Sequence, residues 1–207
     1  MTIRAFLPAM IAGLGFVGLA QPAAGQNADR LFVSAGYQFI NVFPANGGGN
    51  QTFPGGWYLD LSGNITPAFA LVAEIGGNYK LVPTTESSGN STITYSIDLR
   101  VHEFMGGVRV RGRGHSAVTP FGQVLVGAAE LTAIGSTWAS IEGQPPYSPG
   151  NDSRDYFTLQ AGGGINVGVT KTVGVRVGAD YLHIYSNDHL PADLNVFRLV
   201  TGLNFGF

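Results

Sequence analysis

A chain of 207 residues is long enough for one domain, and no shift in composition along it marks a second. Only 12% of its residues are charged, against roughly 25% in an ordinary soluble domain, so a conventional charged solvent coat is excluded. A formal charge of -2 with scattered arginines excludes a basic nucleic-acid face, and the lack of cysteine excludes disulfides, thiolate metal sites and cysteine nucleophiles.

The first 25 residues read as a secretory signal that is removed. Arg4 is a short positive head, Ala5 to Ala20 is an apolar run broken by Pro8 and glycines, and Ala23-Ala24-Gly25 supplies the small residues of a cleavage site. At about 16 residues the run is shorter than the roughly 20 a membrane helix needs. The mature domain is expected to span residues 26–207.

From there the apolar residues recur with period two, the repeat of a strand with two unlike faces. Arg30 to Val42 sets Leu31, Val33, Ala35, Tyr37 and Phe39 against Ser34, Gly36 and Gln38. Gly56 to Ile65 sets Trp57, Leu59, Leu61 and Ile65 against Tyr58, Asp60, Ser62 and Asn64. Phe69 to Leu81 sets Phe69, Leu71, Ala73, Ile75 and Tyr79 against Glu74, Asn78 and Lys80. The fourth strand, Thr92 to Arg111, changes phase: Ile93 to Val101 are apolar at odd positions, Phe104, Val108 and Val110 at even ones. A β-bulge near His102 and Glu103 is expected to absorb the slip. The fifth strand, Val118 to Leu131, is assigned by context, since both faces are apolar and Pro120 lacks a ladder donor. Asp155 to Val169, Val173 to Tyr185 and Leu194 to Phe207 restore the alternation, the last two placing Arg176, Asp180, Arg198 and Asn204 on the polar face.

The connections alternate long and short: Pro44 to Gly55, Val82 to Ser91, Thr132 to Ser153 and Ser186 to Asp193 are the longer, and Thr66 to Ala68, Gly112 to Ala117 and Thr170 to Thr172 the shorter. Such alternation predicts an all-β fold, an eight-stranded antiparallel up-and-down transmembrane β-barrel with tight periplasmic turns and longer outer loops. A soluble barrel would need charges on its outer face. Here the non-apolar face carries small residues and a few complementary charges, the set a narrow lumen holds. Asp60, Glu74, Glu103, Arg109, Arg176, Asp180 and Arg198 are therefore the candidate lumen network, with Asp180 paired to Arg198 and Glu74 to Arg109 or Arg176. Phe69, Phe205 and Phe207 mark one aromatic girdle, and Tyr37, Phe39, Trp57, Tyr79, Phe157, Tyr181 and Phe197 the other.

The final strand, with Leu203, Phe205 and Phe207 in one phase, resembles the insertion signal of outer-membrane barrels. Phe104-Met105-Gly106-Gly107-Val108-Arg109, Thr119-Pro120-Phe121 and Ala179-Asp180-Tyr181-Leu182 resemble segments of the outer-membrane β-barrel-domain family related to the OmpA/OmpX-type small barrels. The resemblance covers nearly all of the mature chain. It implies export through the periplasm to a Gram-negative-type outer membrane, contact with outer-membrane lipid and lipopolysaccharide, assembly by the barrel-assembly machinery and a monomeric state. No peptidoglycan-binding segment is expected after the barrel.

Three function classes follow: a structural or surface-interaction barrel, which the features favour; a narrow pore or small-solute channel; and a lipid A-modifying enzyme. For the enzyme, His183-Ile184-Tyr185-Ser186-Asn187 resembles the His-x-Ser-Asn motif of the lipid A deacylase family. Two residues separate His183 from Ser186, which puts them on opposite strand faces, so no enzyme activity is expected. His102, His115 and His189 have no metal-ligand spacing with another histidine; the loop acids Glu86, Glu142, Asp152 and Asp188 read as solvated. Gly162-Gly163-Gly164 lacks the strand-to-helix context of a nucleotide loop. No cofactor or metal is expected. Trp138, Pro145, Pro146 and Tyr147 are candidate contacts in the longest loop.

Overall fold

A computed structural model describes residues 31–47, 49–88, 91–112, 117–137, 151–186 and 192–207. The signal segment lies outside them, as do His115, Trp138, Glu142, Pro145, Pro146, Tyr147, Asp188 and His189, and the side chain of Glu86.

The strands are β1 (Leu31–Pro44), β2 (Gln51–Phe53), β3 (Gly55–Asn64), β4 (Phe69–Ser88), β5 (Ser91–Arg111), β6 (Val118–Thr137), β7 (Asn151–Gly168), β8 (Val173–Ile184) and β9 (Leu194–Gly206). Each pairs antiparallel with its neighbour, and β1 also pairs with β9 from Phe32↔Gly206 to Pro44↔Leu194. That pairing closes the sheet and removes its edges. The short β2 continues the line of β3, so the closed wall has eight strands.

One bulge separates β2 from β3. Tyr37 pairs with Trp57 and Ile40 with Phe53, so Gln38 and Phe39 face the three residues Pro54, Gly55 and Gly56. Pro54 carries no N–H to lose there. The bulge expected at His102 and Glu103 does not form. β5 keeps one unbroken register with β4 from Phe69↔Val110 to Ser88↔Ser91, and with β6 from Tyr95↔Thr137 to Arg111↔Phe121.

The phase change in β5 has another cause. Below His102 the strand turns Val108 and Val110 outward to lipid and Glu103, Arg109 and Arg111 inward. Above it, Val101 and Leu99 turn inward and join an apolar cluster with Ile40, Val42, Phe53, Tyr156, Leu182, Ile184 and Val196. The backbone alternation never changes; the solvent outside does, from hydrocarbon to water. Outward groups change accordingly. Asp98 and Arg100 pair at 2.5 Å, and Ser153 donates to Glu130 at 2.5 Å.

A band of outward polar-tipped aromatics marks this boundary. Trp57 Nε1 donates to the Tyr79 hydroxyl at 3.2 Å, Tyr79 meets His102 Nε2 at 3.3 Å, and Tyr181 donates to Asn195 at 2.6 Å. Amphipathic rings settle at such an interface because one end is dry and the other wet. Leu59, Leu71, Val124, Val126, Val177 and Leu203 are exposed below it, as a lipid-facing wall requires.

Beyond the band the barrel is lopsided. β8 ends at Ile184 opposite Thr158, whereas β4 and β5 stay paired to Ser88↔Ser91 and β6 and β7 to Ile134↔Asn151. The stretches expected as loops, Val82 to Ser91 and Thr132 to Ser153, are thus partly strand. β4 and β5, at 20 and 21 residues, far exceed the roughly 9–11 needed to cross a bilayer.

Candidate functional site

The lumen is packed with side chains rather than open. Among the described residues, four carboxylates (Asp60, Glu74, Glu103, Asp180) and four arginines (Arg109, Arg111, Arg176, Arg198) are buried there. All seven network residues named from sequence lie inside the barrel, and Arg111 joins them. Alternate positions on eight tilted strands aim at one axis, and an eight-stranded interior is just wide enough for side chains.

The charges form two layers. In the layer nearer the long loops Arg198, on β9, is fully buried and holds three acids: Glu74 at 2.7 Å, Asp180 at 2.7 Å and Glu103 at 3.2 Å. Its Nη1 also donates to Gln38 Oε1 at 3.3 Å, and Gln160 Nε2 donates to Glu74 at 3.4 Å. In the layer nearer the short turns Asp60 pairs with Arg109, and with Arg176 at 3.0 Å. Gln123 joins the layers: its Oε1 accepts from Arg109 Nε at 2.9 Å and its Nε2 donates to Asp180 at 3.0 Å.

Asp180 and Arg198 are the expected pair and direct register partners. Glu74 was expected on Arg109 or Arg176; it sits instead on Arg198, while Asp60 takes both other arginines. Strand tilt and stagger decide which residues share a height, and neither is visible from a single strand's alternation. Gln38, Asn78, Gln123 and Gln160 are not among the network residues expected from sequence, although each falls at an inward position. Gln38 Nε2 donates to Asn78 Oδ1 at 2.6 Å.

Glycine makes the room these long side chains use. A Cβ on Gly162 would collide with the Asp180 carboxylate and lie 2.5 Å from the Ala179 carbonyl oxygen. The Gly162-Gly163-Gly164 run is therefore a thinned wall of β7 beside the network. Above the Arg198 layer the apolar cluster around Ile40, Leu182 and Val196 fills the lumen towards the long loops.

On the outer wall, His183 is engaged at both ring nitrogens, Nδ1 by Asn195 at 2.8 Å and Nε2 by Asp193 at 3.2 Å. The Ser186 amide donates to Asp193 Oδ1 at 2.7 Å. Ser186 lies beyond the end of β8, so the motif residues do not share a strand face. Among the described residues no His, Asp and Glu group has the arrangement of a metal site, and Asp152 pairs with Arg154 at 3.1 Å.

This closed eight-stranded barrel is similar to solved outer-membrane proteins. Ail, the attachment invasion locus protein of Yersinia pestis, matches with a TM-score of 0.55 at 18% identity, covering 87% of this chain and 100% of that one. Its complex with the heparin analogue sucrose octasulfate matches with a TM-score of 0.54 at 18% identity, over 86% and 100% of the two chains. Neisserial surface protein A matches with a TM-score of 0.61 at 12% identity, over 88% and 100%. No family model and no curated protein matches the sequence. The chain has the fold of the eight-stranded outer-membrane barrels, and at these identities the likeness carries the fold alone.

Proposed function

We propose that the protein is an outer-membrane barrel with a structural or surface-interaction role, supporting membrane integrity and presenting its long-loop end for contacts. The observation that carries this reading is the contrast between the two parts of the molecule. The lumen is filled by ion pairs and an apolar cap, whereas β4 to β7 rise together past the aromatic band. A filled lumen supports display over transport. The narrow pore is the competing account, and conductance separates the two.

In this reading the chain is exported through the periplasm, inserted by the barrel-assembly machinery, and works as a monomer among outer-membrane lipid and lipopolysaccharide, without cofactor, nucleic acid or catalysis. Leu203, Phe205 and Phe207 serve assembly from the lipid-facing phase of β9. Phe207 also closes the wall, its amide donating to the Leu31 carbonyl at 2.9 Å. Deleting Phe207 should lower the yield of folded protein in the outer membrane; an unchanged yield would remove that role.

The test of display is to replace residues 84–95 by a tight turn, shortening the β4–β5 hairpin while keeping every residue of the two charged layers. Cells carrying the shortened barrel should lose attachment to lipopolysaccharide-coated or sulfated-glycan-coated surfaces, while the purified protein still migrates faster on gels before boiling than after. Attachment equal to that of the full chain would contradict the display role.

A further inference from the structure

We infer that the short-turn end of the lumen is a binding site for a small oxyanion of the phosphate or sulfate class, built by Arg109, Arg111 and Arg176 around Asp60. Three guanidinium groups meet here over one carboxylate. Arg109 pairs with Asp60, and Arg176 Nη1 reaches Asp60 Oδ1 at 3.0 Å. Arg111 Nη2 donates to Ser62 Oγ at 3.0 Å, and the same oxygen lies 3.4 Å from Arg109 Nη1. Arg109 and Arg176 both stack on Phe121, 4.9 Å from its centroid, and Arg111 stacks on Phe32 at 4.1 Å.

The layer is therefore short of acceptors. The other three buried carboxylates, Glu74, Glu103 and Asp180, are engaged by Arg198 in the layer above. Arg176 Nη2 and Arg111 Nε, both on the arginines of this layer, have no hydrogen-bond partner among the described residues. Their residues are only 1% and 8% exposed. Buried N–H groups of this kind are costly to leave unpaired. An oxyanion answers both needs, since its several acceptor oxygens match the planar fork of arginine and its charge offsets the local excess. Arg111, at the end of β5 with its amide donating to the Ala68 carbonyl, is the arginine nearest the short turns among the described residues.

The test is thermal unfolding of the folded barrel in a neutral detergent, titrated with inorganic phosphate at fixed ionic strength against chloride. Phosphate should raise the unfolding temperature saturably and chloride should not. Arg111→Gln leaves no carboxylate orphaned and should weaken the phosphate half-saturation by about tenfold, the worth of one charge-assisted hydrogen bond. An unsaturable response, or an equal one in Arg111→Gln, would overturn the site. So would stabilisation by anionic lipid in the absence of any effect of free phosphate, which would assign the effect to a headgroup. Should the variant not fold, phosphorus NMR on the unaltered barrel decides: broadening of the phosphate signal that sulfate reverses supports the site, and an unbroadened signal overturns it.

Discussion

Arg198 on β9 and Asp180 on β8 stand directly opposite each other in the ladder, joined at 2.7 Å and 3.2 Å through Nη2 and Nε of the same guanidinium. That guanidinium also holds Glu74 and Glu103, which makes it the one cation of its layer among the described residues.

Removing Arg198 should accordingly cost more than removing any one of its acids. Arg198→Gln orphans three buried carboxylates and is expected to destabilise the barrel by at least about 3 to 5 kcal/mol. Asp180→Asn leaves Arg198 with Glu74 and Glu103 and should cost clearly less. Urea unfolding of both variants in lipid vesicles checks the order; equal losses would mean the charges act as separate pairs.

The glycines divide into those that make space and those that do not. Gly162→Ala drives a methyl into the Asp180 carboxylate and the Ala179 carbonyl, whereas at Gly106 the nearest atom to a new Cβ is the Val72 carbonyl oxygen at 3.7 Å. The first substitution should cost about 1–3 kcal/mol and the second little. The same unfolding measurement compares them, and a tolerated Gly162→Ala would show that the network can shift.

Much of this was legible in the sequence, and its failures have identifiable causes. Period two placed Asp60, Glu74, Arg109 and Arg176 inside the wall, because alternation is a local property of the backbone. Which arginine meets Glu74 depends on tilt and stagger around the closed sheet, a property of all strands at once. The strands above the aromatic band were read as loops because the polar pattern of Val82 to Ser91 resembles loop composition. The false bulge at His102 came from treating one solvent as present along the whole of β5. The amides Gln38, Gln123 and Gln160 carry no charge to attract notice, yet they tie the ion pairs together.

The boundary between hydrocarbon and water sets a second expectation. Val124 faces outward below the aromatic band, and Ser153 faces outward above it, bonded to Glu130. Val124→Arg should destabilise the barrel in vesicles by about 2–4 kcal/mol, and Ser153→Arg by about 0–1 kcal/mol. Comparable losses at the two positions would misplace the membrane.

Asp193 gives a pH expectation outside the membrane. Hydrogen bonds from the Ser186 amide and side chain, and then the neighbouring His183, hold its carboxyl below the ordinary value of 3.8. A depressed carboxyl stabilises the folded form at pH above 3.8 and loses that contribution as pH falls through the lowered folded value. The Ser186 amide resonance should report a midpoint below 3.8 in an NMR titration; a midpoint at or above it would contradict the bond.

Planar-bilayer recording of the purified barrel tests the central claim, that the lumen is closed by its own side chains. With the Arg198 and Asp60 layers paired and the apolar cluster packed above them, the protein should insert without producing a discrete current step. A stable, large single-channel conductance would contradict that closure and make the chain a pore.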